Sequence, residues 1–121
     1  SALWVFESAV DALSFLTMEK EKGKEWETIS CLSLGGIARM TEGKLPGALE
    51  RYVKEHRQIK EIHLCLDNDP PGRKAARWLR EQLADYMVVD APPVRGKDYN
   101  DFLQMQKGIW GQVKMRGEAR G

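Results

Sequence analysis

The sequence predicts an α/β fold built on a mostly parallel sheet, and three observations carry that reading. Short apolar runs alternate along the chain with longer stretches of helical spacing. The run Glu61–Leu66 (EIHLCL) is almost continuously apolar, as expected of a central strand covered on both faces. The chain has 121 residues, 42% hydrophobic and 31% charged, enough for one domain with a core and too few for two ordinary ones.

The first strand is Leu3-Trp4-Val5-Phe6, which stops at Glu7. Ser8 is placed to cap the next helix, with Asp11 three residues on, where a capping box takes an acidic or amide side chain. Ala9, Ala12, Leu13, Phe15 and Leu16 supply the expected buried face. The charged segment Glu19–Glu27, broken by Gly23, reads as a helix end and loop. Thr28–Leu34 is the second strand, ended by Gly35-Gly36, and Thr41–Pro46 is a polar loop. Gly47–Arg57 carries Leu49, Tyr52 and Val53 at helical spacing. The third strand, Glu61–Leu66, ends at Asp67-Asn68-Asp69. Pro70-Pro71 suits the first turn of a helix, which extends over Gly72–Asp85 with Ala76, Leu79 and Leu83 inward. A short fourth strand, Tyr86–Val89, is broken by Ala91-Pro92-Pro93. Tyr99–Gln106 makes a last short helix. The domain is thus expected over 1–107. Residues 108–121, with four glycines and three basic residues, read as a flexible or loosely docked tail in which Ile109 and Trp110 touch the body.

Nineteen Lys+Arg against eighteen Asp+Glu give a net charge of +1, which excludes a partner chosen by bulk positive charge and leaves room for a local charged site. No apolar run approaches the ~20 residues of a membrane helix, and no charged-then-apolar leader opens the chain. A cytoplasmic domain is expected. The start at Ser1-Ala2, without Met, reads as a trimmed tag or an excised fragment. Cys31 and Cys65 are too few for a zinc site or disulfide scaffold and read as small buried hydrophobes. His63 reads as a packed or edge histidine.

The chemistry concentrates at strand ends. Glu7 follows the first strand; Asp67 and Asp69 follow the third. In open parallel sheets, sites form at the carboxyl edge, best where neighbouring strands send their helices to opposite faces. If the first and third strands are adjacent, these carboxylates converge. Their mutual repulsion demands either protons or a cation. Oxygen-only ligands select Mg²⁺ or Mn²⁺, and such a site is commonly completed by substrate phosphates. The helix after Asp69 offers its N-terminus to an anion. Arg73, Arg77 and Arg80 form a basic stripe, beside Lys74 in the first turns. Each feature also has an ordinary reading: Glu7 as a helix-start acid, Asp67-x-Asp69 as a turn, Asp11 as a cap, Arg77 and Arg80 as a solvated helix face, and Lys97, Asp98, Asn100 and Asp101 as a charged first helical turn.

Four stretches resemble the Toprim domain shared by topoisomerases, bacterial primases and several nucleases. Val5-Phe6-Glu7-Ser8-Ala9-Val10-Asp11-Ala12-Leu13 is similar to the primase glutamate motif. Leu66-Asp67-Asn68-Asp69-Pro70-Pro71-Gly72-Arg73-Lys74-Ala75-Ala76 is similar to the Asp-x-Asp motif with its Gly-x-Lys-Ala. Gly96-Lys97-Asp98-Tyr99-Asn100-Asp101-Phe102-Leu103 resembles the primase Gly-Lys-Asp-Pro-Asp segment. Ser33-Leu34-Gly35-Gly36 resembles the turn after the family's second strand. Two departures stand out. Ser8 replaces a glycine, and Tyr99 replaces the primase proline, a wording closer to the domains of plasmid and mobile-element proteins.

The resemblance implies a single Toprim (Rossmann-like) domain with four mainly parallel strands in the order 2-1-3-4. It is expected to belong to a larger protein whose other domains are partners. The resemblance implies that Asp67, Asp69 and Glu7 hold Mg²⁺, for which Mn²⁺ can substitute, with Glu7 alternatively a general acid/base. Asp11 and Asp98 are secondary acidic positions. Arg73, Lys74 and Lys97 face phosphate or nucleic acid. The implied activity is nucleotidyl transfer on DNA or RNA, primase-like, with nucleotides as further ligands. A Toprim nuclease and a non-catalytic nucleic-acid-binding or assembly module are the rivals. No membrane partner is implied.

Overall fold

The computed structural model describes residues 1–108. The tail expected over 108–121, with Ile109 and Trp110, lies from residue 109 onward outside the described residues. In chain order the elements are β1 (Ala2–Phe6), α1 (Ala9–Glu21), a 3-10 turn (Trp26–Thr28), β2 (Ser30–Ser33), α2 (Gly47–Glu55), β3 (Glu61–Leu64), α3 (Pro70–Gln82) and β4 (Met87–Asp90). A last helix, α4, covers 99–108. The sheet order is β2-β1-β3-β4. All three pairings are parallel, with Val5 registered against Leu32 on one side and Leu64 on the other.

The pleat sorts the central side chains onto two faces. Leu3 and Val5 of β1 join Ile62, Leu64 and Leu66 under α2 and α3, against Leu49, Val53, Ala76, Leu79 and Leu83. Phe6 and Cys65 point the other way, into a smaller core with Ala12 and Met18 of α1 and Tyr99 of α4. Both faces of β1 and β3 are therefore covered, which is why β1 reads as apolar without polar alternation and why the ring of His63 in β3 is packed and not solvated. His63 lies in β3 and stacks on Trp4 with ring centroids 4.5 Å apart, a packed histidine. Cys65 is buried and Cys31 half-buried, neither in a disulfide, and burial pushes both thiols up, so they act as small apolar groups.

Two sequence expectations are corrected. β2 starts later than Thr28, because Trp26–Thr28 forms a 3-10 turn in which Thr28 Oγ1 donates to the Glu25 carbonyl at 2.8 Å. That local bond offers the backbone an alternative to the ladder. The buried face of α1 is also rotated from the apolar count. Ala9 is exposed and Leu13 is 64% exposed, while Asp11, Ser14 and Met18 are buried. The reason is α4, which roofs α1 with polar groups: Asn100 donates its N–H to Asp11 Oδ1 at 3.2 Å, and Ser14 Oγ meets Asn100 Oδ1 at 3.4 Å.

Tyr99 ties α4 to the sheet. Its hydroxyl donates to the Ala91 carbonyl at 2.7 Å, and its ring meets Phe6 and Phe15 edge-on, each at 5.5 Å. Removing only the hydroxyl leaves the Ala91 carbonyl without this partner. Tyr99→Phe is expected to cost about 1–2 kcal/mol of stability, read from urea unfolding with an unchanged m-value.

Candidate metal centre

Adjacent strands β1 and β3 send their following helices to opposite faces, α1 into the smaller core and α3 into the larger. The crevice at their carboxyl ends is therefore the switch point of the sheet. Glu7 is the first residue past β1. Its backbone is fixed from the β2 side, where the Gly36 N–H donates to the Glu7 carbonyl at 2.7 Å. Gly36 sits at φ +102°, a conformation that side chains resist. From the β3 side, the Asp67 N–H donates to Glu7 Oε2 at 2.7 Å. Asp69 caps α3, its Oδ1 accepting from the Gly72 N–H at 2.8 Å. In this arrangement one oxygen each from Glu7, Asp67 and Asp69 lies within 4.8 Å of the other two.

A second acidic group adjoins the first and shares Asp67 with it: oxygens of Asp11, Asp67 and Asp98 also lie within 4.8 Å of one another. Asp11 does two jobs. Its N–H donates to Ser8 Oγ at 3.2 Å in the helix cap. Its buried carboxylate accepts from Ser8 Oγ at 2.9 Å and from the Asn100 N–H. Asp98 caps α4 by accepting the Asp101 N–H at 2.7 Å. Asp69 and Asp98 each cap a helix and also stand in one of the two acidic groups, and Asp11 stands in the second while held by the capping Ser8. Ser8, where the resembling motif has glycine, uses its hydroxyl to hold Asp11.

The expected cations take different positions. Lys97 is close to the first group, with Nζ 3.7 Å from Asp69 Oδ2, and its carbonyl accepts the Asn68 N–H at 2.6 Å. Arg73 faces inward to the fold: its guanidinium pairs with Asp90 at 2.7 Å and reaches the Leu66 and Asp67 carbonyls at 3.4 Å. It thereby ties the end of β3 to β4. Lys74 Nζ stands over the Trp78 ring at 4.9 Å. Asn100, read from the sequence as part of a charged first helical turn, lies in that turn and also holds Asp11, a contact the sequence reading did not include. The available signal was Ser14, a polar residue on the face that helical spacing buries.

A profile of the Toprim-like family matches residues 4–103. The chain belongs to the Toprim-like family. It is 27% identical over 119 residues to the "65 kDa protein" of Zymomonas mobilis subsp. mobilis, a match covering 88% of this chain and 18% of that protein. The chain thus spans under a fifth of the relative's length. Membership assigns the domain to metal-dependent nucleic-acid processing in general. The fold and strand order are those the motifs implied. Among the described residues, no helix is long and apolar enough to cross a membrane.

The electrostatics of the Toprim-like crevice fit a divalent cation. Burial, then the neighbouring Glu7 charge, pushes the Asp67 carboxyl up to about 7, with Asp11 and Asp98 adding to the rise. Burial also raises Asp11, against the hydrogen bonds from Ser8 and Asn100. Asp67 therefore keeps its proton well above the usual carboxylate range, where a cation can take the proton's place. The donor set is entirely oxygen, the chemistry of a hard ion.

Two expectations follow from this crevice. Asp67 in the folded domain holds a proton that the unfolded chain, with its ordinary value near 3.8, releases earlier. Its contribution to stability therefore falls as pH rises from about 4 to about 7. Saturating Mn²⁺ reverses the sign, because binding competes with that proton. The difference in Tm between wild type and Asp67→Asn, followed from pH 4 to 8 with and without Mn²⁺, reads both slopes. The second concerns Gly72, where an added Cβ would stand 2.2 Å from the Asp67 carbonyl oxygen and 2.9 Å from Asp69 Oδ1. Gly72→Ala should cost about 1–3 kcal/mol and weaken Mn²⁺ binding as Asp67 and Asp69 are displaced. Denaturant titration and calorimetry measure the two effects.

Proposed function

We propose that this domain performs Mg²⁺-dependent nucleotidyl transfer on nucleic acid, in the manner of a primase, as one part of a larger protein. The observation that supports it best is the pair of acidic groups sharing Asp67 at the switch point of the sheet. Glu7, Asp67 and Asp69 would hold one ion, and Asp11 and Asp98 would offer a second position through the shared Asp67. Bound there, Mg²⁺ supplies Lewis-acid stabilisation of charge developing on phosphate oxygens.

The remaining work falls to the chain's own groups. Glu7, anchored through Oε2 and at the mouth of the crevice, is placed to accept the proton of an attacking hydroxyl. Lys97, beside Asp69 and 60% exposed, is free to turn to a substrate phosphate. Lys74 is offered from the first turns of α3. Arg73 holds the floor through Asp90 and the two carbonyls, and the phosphate role implied for it from sequence passes to Lys97 and Lys74. The Gly-Lys-Asp wording at 96–98 favours synthesis over cleavage.

The test pairs binding with product analysis. Mn²⁺ should titrate saturably into wild type and not into Asp67→Asn/Asp69→Asn. With template, nucleoside triphosphates and Mg²⁺, wild type should give extended products that the variant does not. Shortened products would replace synthesis with nuclease action. Nucleic-acid binding unchanged in the variant, with neither product from wild type, would make the domain a binding module.

A further inference from the structure

The crevice described above gathers carboxylates suited to a metal ion, and a nucleotide base needs an apolar surface as well. Such a surface lies next to it. Residues between the end of β2 and the start of α2 border a groove of about 720 Å³, within the range that takes a nucleotide-sized ligand. Leu34, Met40 and Leu45 line it and are packed against the larger core, so its floor is apolar and supported from beneath. Arg39 and Lys44 line it as well, and among the described residues neither makes an ion pair. The acid of this segment, Glu42, is engaged elsewhere, accepting from Trp78 Nε1 at 2.9 Å. That bond ties the outer lip of the groove to α3, the helix that begins at Asp69. The inner end is joined to the metal centre through the backbone. Gly35 and Gly36 line the groove, and the Gly36 N–H is the donor to the Glu7 carbonyl.

We propose that this groove seats one nucleotide of a single-stranded nucleic acid whose backbone continues into the Glu7–Asp67–Asp69 crevice. The base lies on Leu34, Met40 and Leu45, and Arg39 and Lys44 take the phosphates flanking it. The inference rests on the nucleic-acid reading above and adds to it a strand path on the β2 side of the metal centre. An apolar floor without an aromatic platform gives little preference among bases, since contact with it uses no base-edge hydrogen bond. The two cations supply affinity through counterion release, so binding is salt-sensitive.

The test measures fluorescence anisotropy of a labelled single-stranded oligonucleotide with wild type, Arg39→Ala/Lys44→Ala and Arg57→Ala/Lys60→Ala. The last pair removes cations from a second cavity, of about 450 Å³, beyond the opposite edge of the sheet. Arg39 and Lys44 are exposed, so their loss should leave the fold intact, checked by circular dichroism. The expected result is an affinity about tenfold lower for Arg39→Ala/Lys44→Ala, with a salt slope reduced by about one to two. Arg57→Ala/Lys60→Ala should bind as wild type does, and Mn²⁺ titration should be unchanged in both. Equal weakening in both variants, no weakening in the first, or no binding by wild type would each overturn the strand path. Displacement of the oligonucleotide by a stoichiometric nucleoside triphosphate would overturn it too, assigning the groove to the free nucleotide. Failure here with Mn²⁺ binding still lost in Asp67→Asn/Asp69→Asn leaves the metal centre standing, so the two readings fail separately.

Discussion

Asp67 donates its backbone N–H to the Glu7 carboxylate across 2.7 Å and sixty residues of sequence, and the rest of the crevice depends on that bond. It can form only because β1 and β3 are parallel neighbours whose register ends together, Val5 opposite Leu64. The same neighbours must then dispose of helices on opposite faces, which leaves a gap that no element fills. An acidic side chain pinned at one wall of the gap raises the cost of ionising any other carboxylate in it. The fold therefore creates an electrostatic deficit at one place on its surface, and every group nearby is arranged around it. Asp69 and Asp98 are steadied as helix caps, Asp11 is held by Ser8 and Asn100, and Arg73 braces the loop from behind.

Much of this was legible in the sequence. The strands announced themselves as short apolar-rich runs, most plainly β1, which is covered on both faces and lacks polar alternation. The carboxylates were visible because strand ends are marked by abrupt passage from apolar runs to Glu7 and Asp67-x-Asp69. The motif order then supplied the strand order. What was not legible depends on contacts distant in the chain. Leu13 looks inward by composition and is exposed, because the polar roof on α1 comes from Asn100, eighty-nine residues from Asp11. The inward turn of Arg73 follows from Asp90 at the end of β4, which no local pattern around residue 73 contains. Hydrophobic periodicity reports which face is buried only when the covering element is itself apolar.

The capping residues explain why one short sequence can serve both stability and chemistry. A cap uses one carboxylate oxygen on a backbone N–H and fixes the side chain's rotamer, leaving the other oxygen oriented. Rigid presentation of that second oxygen is what a cation requires, since a ligand already ordered loses little entropy on binding. The glycine at 72 belongs to the same economy of space: α3 can begin against the Asp67 carbonyl only where no Cβ intervenes.

The bonds that build the crevice span the chain. Glu7 meets Asp67 over sixty residues, and Asp11 meets Asn100 over eighty-nine. No short stretch of the polypeptide contains either acidic group, and both together need residues 7–98. During synthesis a chain that has emerged only through β3 has neither Asp98 nor the roof that holds Asp11, and the second acidic group exists only once α4 has docked. High contact order makes such closure a late event in folding. A nascent, nicked or partly unfolded copy therefore presents scattered carboxylates in place of the assembled pair, and the full acidic centre is confined to molecules that have finished folding.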